Sequence, residues 1–176
     1  MDTMIKFASS ILFLTLTLDL LNLSQGQGGS KPMSRARALS TLKGCATRPI
    51  TLGCSEDTAD YLIKLYNHGD KALLKPLLDA GLTSDGALAE TLGDFYSNVL
   101  WKNPRDFLEA LKLRSRKDQH SLCQLAGVTD GGGMPDNMLR DVRHTLSQIA
   151  SQHQHRLASV ARVCLVEVNE ANATNH

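Results

Sequence analysis

From residue 55 to residue 170 the apolar residues recur at spacings of three and four, and no stretch alternates convincingly with period two. That pattern predicts helices throughout and no sheet. The punctuation is equally regular. Ser55 is expected to cap a helix with Glu56 and Asp57 in its first turn and Gly69 at its stop. Asp70 is expected to cap a helix over Lys71 to Ala80, closed by Gly81 and kinked or split by Pro76. Ser84 opens a third, with Leu88, Leu92, Phe95, Tyr96, Val99 and Leu100 on one stripe and Trp101 at its end. Asn103-Pro104 ends it and starts a fourth, with Asp106 completing a capping-box-like arrangement. Ser115 caps a fifth that ends at Gly127, Pro135 begins a sixth, and the seventh carries Leu157, Val160, Ala161, Cys164, Leu165 and Val168 inward. A short basic helix is expected over Ser34 to Leu42, with Arg35 and Arg37 exposed. The fold class is therefore all-α: a compact irregular bundle or stacked helical hairpins of about six or seven helices, stabilised by disulfides.

The N-terminus points to export. Lys6 is followed by an apolar run from Phe7 to Leu18, the layout of a secretory signal, with small residues at Ser24-Gln25-Gly26. Residues 1–26 are read as a cleaved signal, because Asp19 and Asn22 interrupt the run that an uncleaved anchor would need. Residues 27–54 read as a flexible linker and a stapled N-terminal segment, 55–170 as the helical domain and 171–176 as a polar tail. No later segment is apolar enough to span a bilayer, so the mature chain is expected to be secreted or otherwise extracytoplasmic. Nineteen Lys and Arg against 18 Asp and Glu leave a net charge of +1, too even for a partner held by phosphate neutralisation. With aromatics at 5% of the residues, base-stacking platforms are disfavoured as well.

All four cysteines, Cys45, Cys54, Cys123 and Cys164, fall in the mature chain, which predicts two disulfides. Of three connectivities the expected one is Cys45–Cys54, closing a short loop with Pro49 and Gly53, and Cys123–Cys164, joining two apolar helix faces. Each closure contributes about 3 to 4 kcal/mol in the chain-entropy description.

Few groups look chemical. Asp141, His144 and Ser147 stand three apart, but on one helix each diverges by about 100 to 200 degrees from the buried face centred on Val142. A nucleophile must meet its base within hydrogen-bond reach, which diverging side chains do not do. His153 and His155 diverge by about 200 degrees, and His144 lies about 16 Å from His155 along a helix axis. Neither pair makes a zinc site. His120 with Cys123 and Cys164 has usable spacing for a metal, but a disulfide beside an exposed histidine accounts for the same residues. No catalytic, cofactor-binding or metal-binding residue is assigned. The run Lys112 to Lys117 (KLRSRK) reads as a solvated charged junction between helices, with a partner-docking patch, or a processing site were the chain a precursor, as the alternatives. Asn172-Ala173-Thr174 matches a glycosylation acceptor in the polar tail.

The segment VTDGGGM, between Gly127 and Pro135, lacks the preceding strand and the Lys-Ser/Thr pair of a phosphate loop, and Asp136 in the next first turn would repel an anion. It reads as a hinge whose glycines let the last two helices fold back and bring Cys164 to Cys123.

The spacing of Cys45, Cys54, Cys123 and Cys164, with Thr47 and Pro49 between the first two, resembles that of plant pectin methylesterase and invertase inhibitors. The resemblance implies an exported four-helix bundle with an N-terminal helical hairpin that docks onto an enzyme. The residues themselves point to an exported, non-enzymatic module that binds another protein, with no cofactor and no nucleic acid. The alternative is an enzyme or metal-binding protein whose site is assembled from distant helices, drawing on His120, Asp130, Asp136 and the histidines of the last two helices.

Overall fold

The structure is a computed structural model that describes residues 33–47, 56–129, 132–152 and 156–173. The expected signal, Cys54 and with it the Cys45–Cys54 pairing, Ser55, Asp130, His153 and His155 lie outside the described residues. Among the described residues eight α-helices form in chain order: α1 (Arg35–Thr47), α2 (Glu56–Asn67), α3 (Leu74–Gly81), α4 (Gly86–Lys102), α5 (Pro104–Lys112), α6 (Arg116–Leu125), α7 (Asp136–Ser151) and α8 (Ala158–Ala173). The all-α expectation holds, and the helix beyond the expected number is the N-terminal basic one, which runs on to Thr47. Cys45 therefore sits on a helix rather than in an irregular segment, and it is disulfide-bonded.

Most boundaries follow from local chemistry. Gly69 stops α2 with φ +112°, a left-handed conformation natural only to glycine. Pro76 splits the expected second helix: a 3-10 turn over Lys71–Leu73 precedes α3, and the proline falls in the first turn of α3, where a backbone N–H has no intrahelical acceptor to lose. Helix α4 begins at Gly86, two residues beyond Ser84, because the Ser84 hydroxyl bonds back to the Gly81 carbonyl at 3.3 Å instead of capping forward. Asn103 and Pro104 open α5 without a side-chain cap, whereas Ser115 does cap α6, accepting from the Asp118 N–H at 3.1 Å.

The core is one cluster of leucines with Tyr66, Phe95, Tyr96 and Phe107, and reaches from Ala38 on α1 to Val168 on α8. Fully burying each such leucine contributes about 1.5 to 3 kcal/mol. Helix α1 packs on α2 and α3, and an exposed Arg35–Asp70 ion pair ties its start to the 3-10 turn. Helix α4 packs on α2, α5, α6 and α7. Three helices form the C-terminal half. Arg116 meets Ser159, Cys123 meets Cys164 and Gly127 meets Val168, so α6 and α8 run in the same direction. Arg162 reaches Ala150 and Arg143 reaches Asn169, so α7 runs opposite to α8.

The expected pairing of Cys123 with Cys164 is present, with both residues fully buried and their Cα atoms 4.7 Å apart. The joint between α6 and α7 differs from the expectation in two ways. It contains a two-stranded antiparallel ribbon, Val128–Thr129 (β1) paired with Gly132–Gly133 (β2), where no strand was expected. It is also clamped rather than free. The buried Ser97 hydroxyl lies 2.8 Å from the Ala126 carbonyl and 2.9 Å from that of Val128. Asn172 holds the other side: its amide donates to Gly127 O at 2.9 Å and its oxygen accepts from the Met134 N–H at 2.7 Å. Gly127 is needed for close approach, since a Cβ there would stand 2.9 Å from that of Ala171 and 3.2 Å from the Val168 Cα. A Cβ at Gly132 would make only an ordinary contact, so backbone freedom at that residue does not create the joint.

Candidate interaction surface

The junction of α5 and α6 is built from the KLRSRK run. Helix α5 ends at Lys112, and the Arg114 N–H donates to Leu111 O at 2.9 Å to close the turn. Gln119, buried on α6, points its amide back into the corner and donates to Leu111 O at 3.3 Å and Arg114 O at 3.1 Å. Leu111 O thus accepts from the Gln119 amide as well as from the backbone, and Arg114 O, just past the end of α5, accepts from the same amide. Arg114 folds inward as well: one guanidinium nitrogen reaches Asp79 at 2.8 Å and Lys75 O at 3.3 Å, fastening the corner to α3. Arg114, Ser115 and Gln119 are all bonded locally, and between them and Lys112 stands Leu113. That side chain is 92% exposed, the most exposed large apolar residue among those described.

Cations surround it. Lys112 and Lys117 flank the corner and are exposed. Arg116 donates to Ser159 at 3.2 Å, and Arg156 pairs with Glu109. Of the acids nearby, Asp79 is bonded to Arg114 and Glu109 to Arg156. Lys112, Arg114, Arg116 and Lys117 place four cations within six residues of a chain whose net charge is +1. The potential of such a patch extends about 8 Å into physiological saline.

The other candidate residues do not converge. Asp141 faces the Trp101 indole N–H at 3.4 Å, His144 accepts from the Gln148 amide at 2.9 Å, and Ser147 is exposed; no two of the three are bonded to each other. Asp136 is exposed at the start of α7. His120 donates to Glu167 at 2.6 Å across α6 and α8, so its partner is a carboxylate and not a metal-ligand set with the bonded cysteines. Among the described residues no three His, Cys, Asp or Glu side chains are grouped as metal ligands, and no helix is long and apolar enough to cross a membrane.

Asn172 overturns its own reading. It lies within α8, which continues to Ala173, and is 2% exposed with its amide committed to Gly127 O and Val168 O. A residue read as an accessible acceptor in a polar tail is a buried clamp. Sequence spacing also missed Gln119 and Ser97, whose partners lie in neighbouring elements. The one usable signal was a polar residue standing on an otherwise apolar helix stripe.

Comparison with protein-family models, with curated proteins and with solved structures finds no match to this chain. The resemblance to pectin methylesterase and invertase inhibitors remains one of cysteine spacing, and eight helices stand where it implies a bundle of four.

Proposed function

We propose that this chain is an exported, non-enzymatic helical bundle that binds an acidic partner protein through the α5–α6 corner. Leu113 carries the reading: it is an almost fully exposed leucine on a hydrogen-bonded turn, with Lys112, Arg114, Arg116 and Lys117 beside it in the chain. Moving such a side chain into an apolar socket gains about 1.5 to 3 kcal/mol. The neighbouring lysines and arginines select a socket with a negative rim and accelerate encounter. Because Gln119 and Arg114 hold the turn in place before binding, little conformational entropy is lost on docking. Export is supported by the N-terminal apolar run and by the buried Cys123–Cys164 disulfide, which suits an oxidising compartment.

A photoreactive residue at position 113 tests this, with position 166 on α8 as the control, since Val166 is half-exposed and lies outside the basic corner. A partner crosslinked from 113 and not from 166 should bind Leu113→Asp at least about tenfold more weakly, and should lose affinity as salt is raised. Unchanged affinity of Leu113→Asp for the crosslinked partner would remove the basis of the proposal.

A further inference from the structure

A second feature lies beside the 3-10 turn. The last turn of α2 carries Tyr66 inward, where its ring meets Phe95 edge-on with centroids 5.1 Å apart. The Lys71 ammonium sits 3.9 Å from the centre of the Tyr66 ring and donates to the Tyr66 carbonyl at 3.2 Å. Tyr66 is 2% exposed, and its hydroxyl has no hydrogen-bond partner among the described residues. The comparison with Tyr96 is direct, for that hydroxyl, equally buried, donates to Leu77 O at 2.5 Å. Buried polar groups are almost always paired, so an orphan phenol calls for an occupant.

Tyr66 and Lys71 line two cavities, one of about 420 Å³ between α2 and α4 and one of about 350 Å³ beside α5. The second, at the small end of the range for ligand sites, sets the hydroxyl with Asp106, whose charge acts on it. One wall comes from the 3-10 turn and α3 and carries Lys71 and Lys75; the other comes from α5 and carries Asp106 and Glu109. Leu74 supplies apolar surface between them. Glu109 is already paired with Arg156, whereas Asp106 has no cation at ion-pair distance among the described residues. Burial, and then the negative charge of Asp106, push the Tyr66 hydroxyl up from its ordinary titration range, so it stays protonated and acts as a donor. An anion alone would face two carboxylates here, and a cation alone two lysines. A molecule with both charges matches both walls.

We propose that this cavity binds a small zwitterion of the α-amino-acid class, its carboxylate held by Lys71, Lys75 and the Tyr66 hydroxyl and its ammonium by Asp106. The site borders the α5–α6 corner through Lys75 and Glu109, but it does not involve Leu113.

Titration of the whole chain with L-alanine and L-leucine, followed by amide chemical shifts and by calorimetry, tests the assignment. Shifts should appear at residues 66–75 and 104–110, with propionate and propylamine binding at least about tenfold more weakly than the amino acids. Tyr66→Phe and Asp106→Asn should each weaken binding by about tenfold, while Asn98→Ala, in the neighbouring groove between α2 and α4, should leave it unchanged. The melting temperature of unliganded Tyr66→Phe should equal or exceed that of the wild type, since no hydrogen bond is lost, which separates loss of binding from loss of fold. No shift at millimolar amino acid, equal binding of the singly charged analogues, or full binding by Tyr66→Phe would each overturn the assignment.

Discussion

Replacing Asn172 tests how the C-terminal half is held. In Asn172→Ala two buried backbone groups lose their partners: the Met134 N–H, bonded at 2.7 Å, and the Gly127 carbonyl, bonded at 2.9 Å. The Val168 carbonyl also loses the side-chain amide, but it lies one turn earlier on the same helix and keeps its place in the backbone ladder. Each stranded group costs about 1 to 3 kcal/mol, so the variant should lose about 2 to 6 kcal/mol. Asn172→Asp sharpens the test. It puts a carboxylate oxygen against the Gly127 and Val168 carbonyls, which raises the folded-state pKa of the new acid above the unfolded value. Its penalty should then be largest at neutral pH and should shrink as pH falls through the folded pKa, where the protonated acid donates to Gly127 O. Urea unfolding of the disulfide-intact protein, followed by far-ultraviolet circular dichroism, reads both effects as midpoint shifts at constant slope. A loss below about 1 kcal/mol for Asn172→Ala, or an Asn172→Asp penalty that does not vary with pH, would refute the clamp.

Two further outcomes follow from the same region. Removing the Cys123–Cys164 bridge by double alanine substitution should cost about 4 kcal/mol, the loop-closure value for a separation of 41 residues, read by the same unfolding experiment. Because both cysteines are fully buried, reductant alone should leave the native bridge intact until denaturant is added, as mass analysis after thiol alkylation will show. Secreted from a eukaryotic host, the folded protein should carry no glycan at Asn172, so treatment with an amidase that removes N-linked sugars should leave its mass unchanged at that site.

The helical order was legible because each signal acts within a few residues. Gly69 meets a backbone requirement of its own, Pro76 breaks its own helix, and Ser115 caps the turn that follows it. The Cys123–Cys164 pairing could be anticipated because each sulfur stands on an apolar stripe that must face inward. The readings that failed depended on partners far along the chain. Ser97 and Ala126 are 29 residues apart and Asn172 and Gly127 are 45 apart, so no local window joins them. The β1–β2 ribbon is too short to carry an alternating pattern, and its second strand is two glycines.

The α5–α6 corner, where docking is proposed, shows the same division between local and distant effects. Its charge could be read directly from KLRSRK, and the junction between helices from Ser115. What distinguishes it from an ordinary solvated junction is that Leu113 projects outward, and that outcome is settled elsewhere. Gln119 reaches back five residues or more to bond the end of α5, and Arg114 crosses 35 residues to Asp79. With those side chains bonded to backbone and to the exposed Asp79 carboxylate, the apolar residue between Lys112 and Arg114 stands outside the core. A mixed run of cations and one leucine thus becomes a fixed apolar tip within a positive rim. Because the backbone of the turn is held on folding, the docking proposed for it would lose less conformational entropy than docking through a mobile loop of the same sequence.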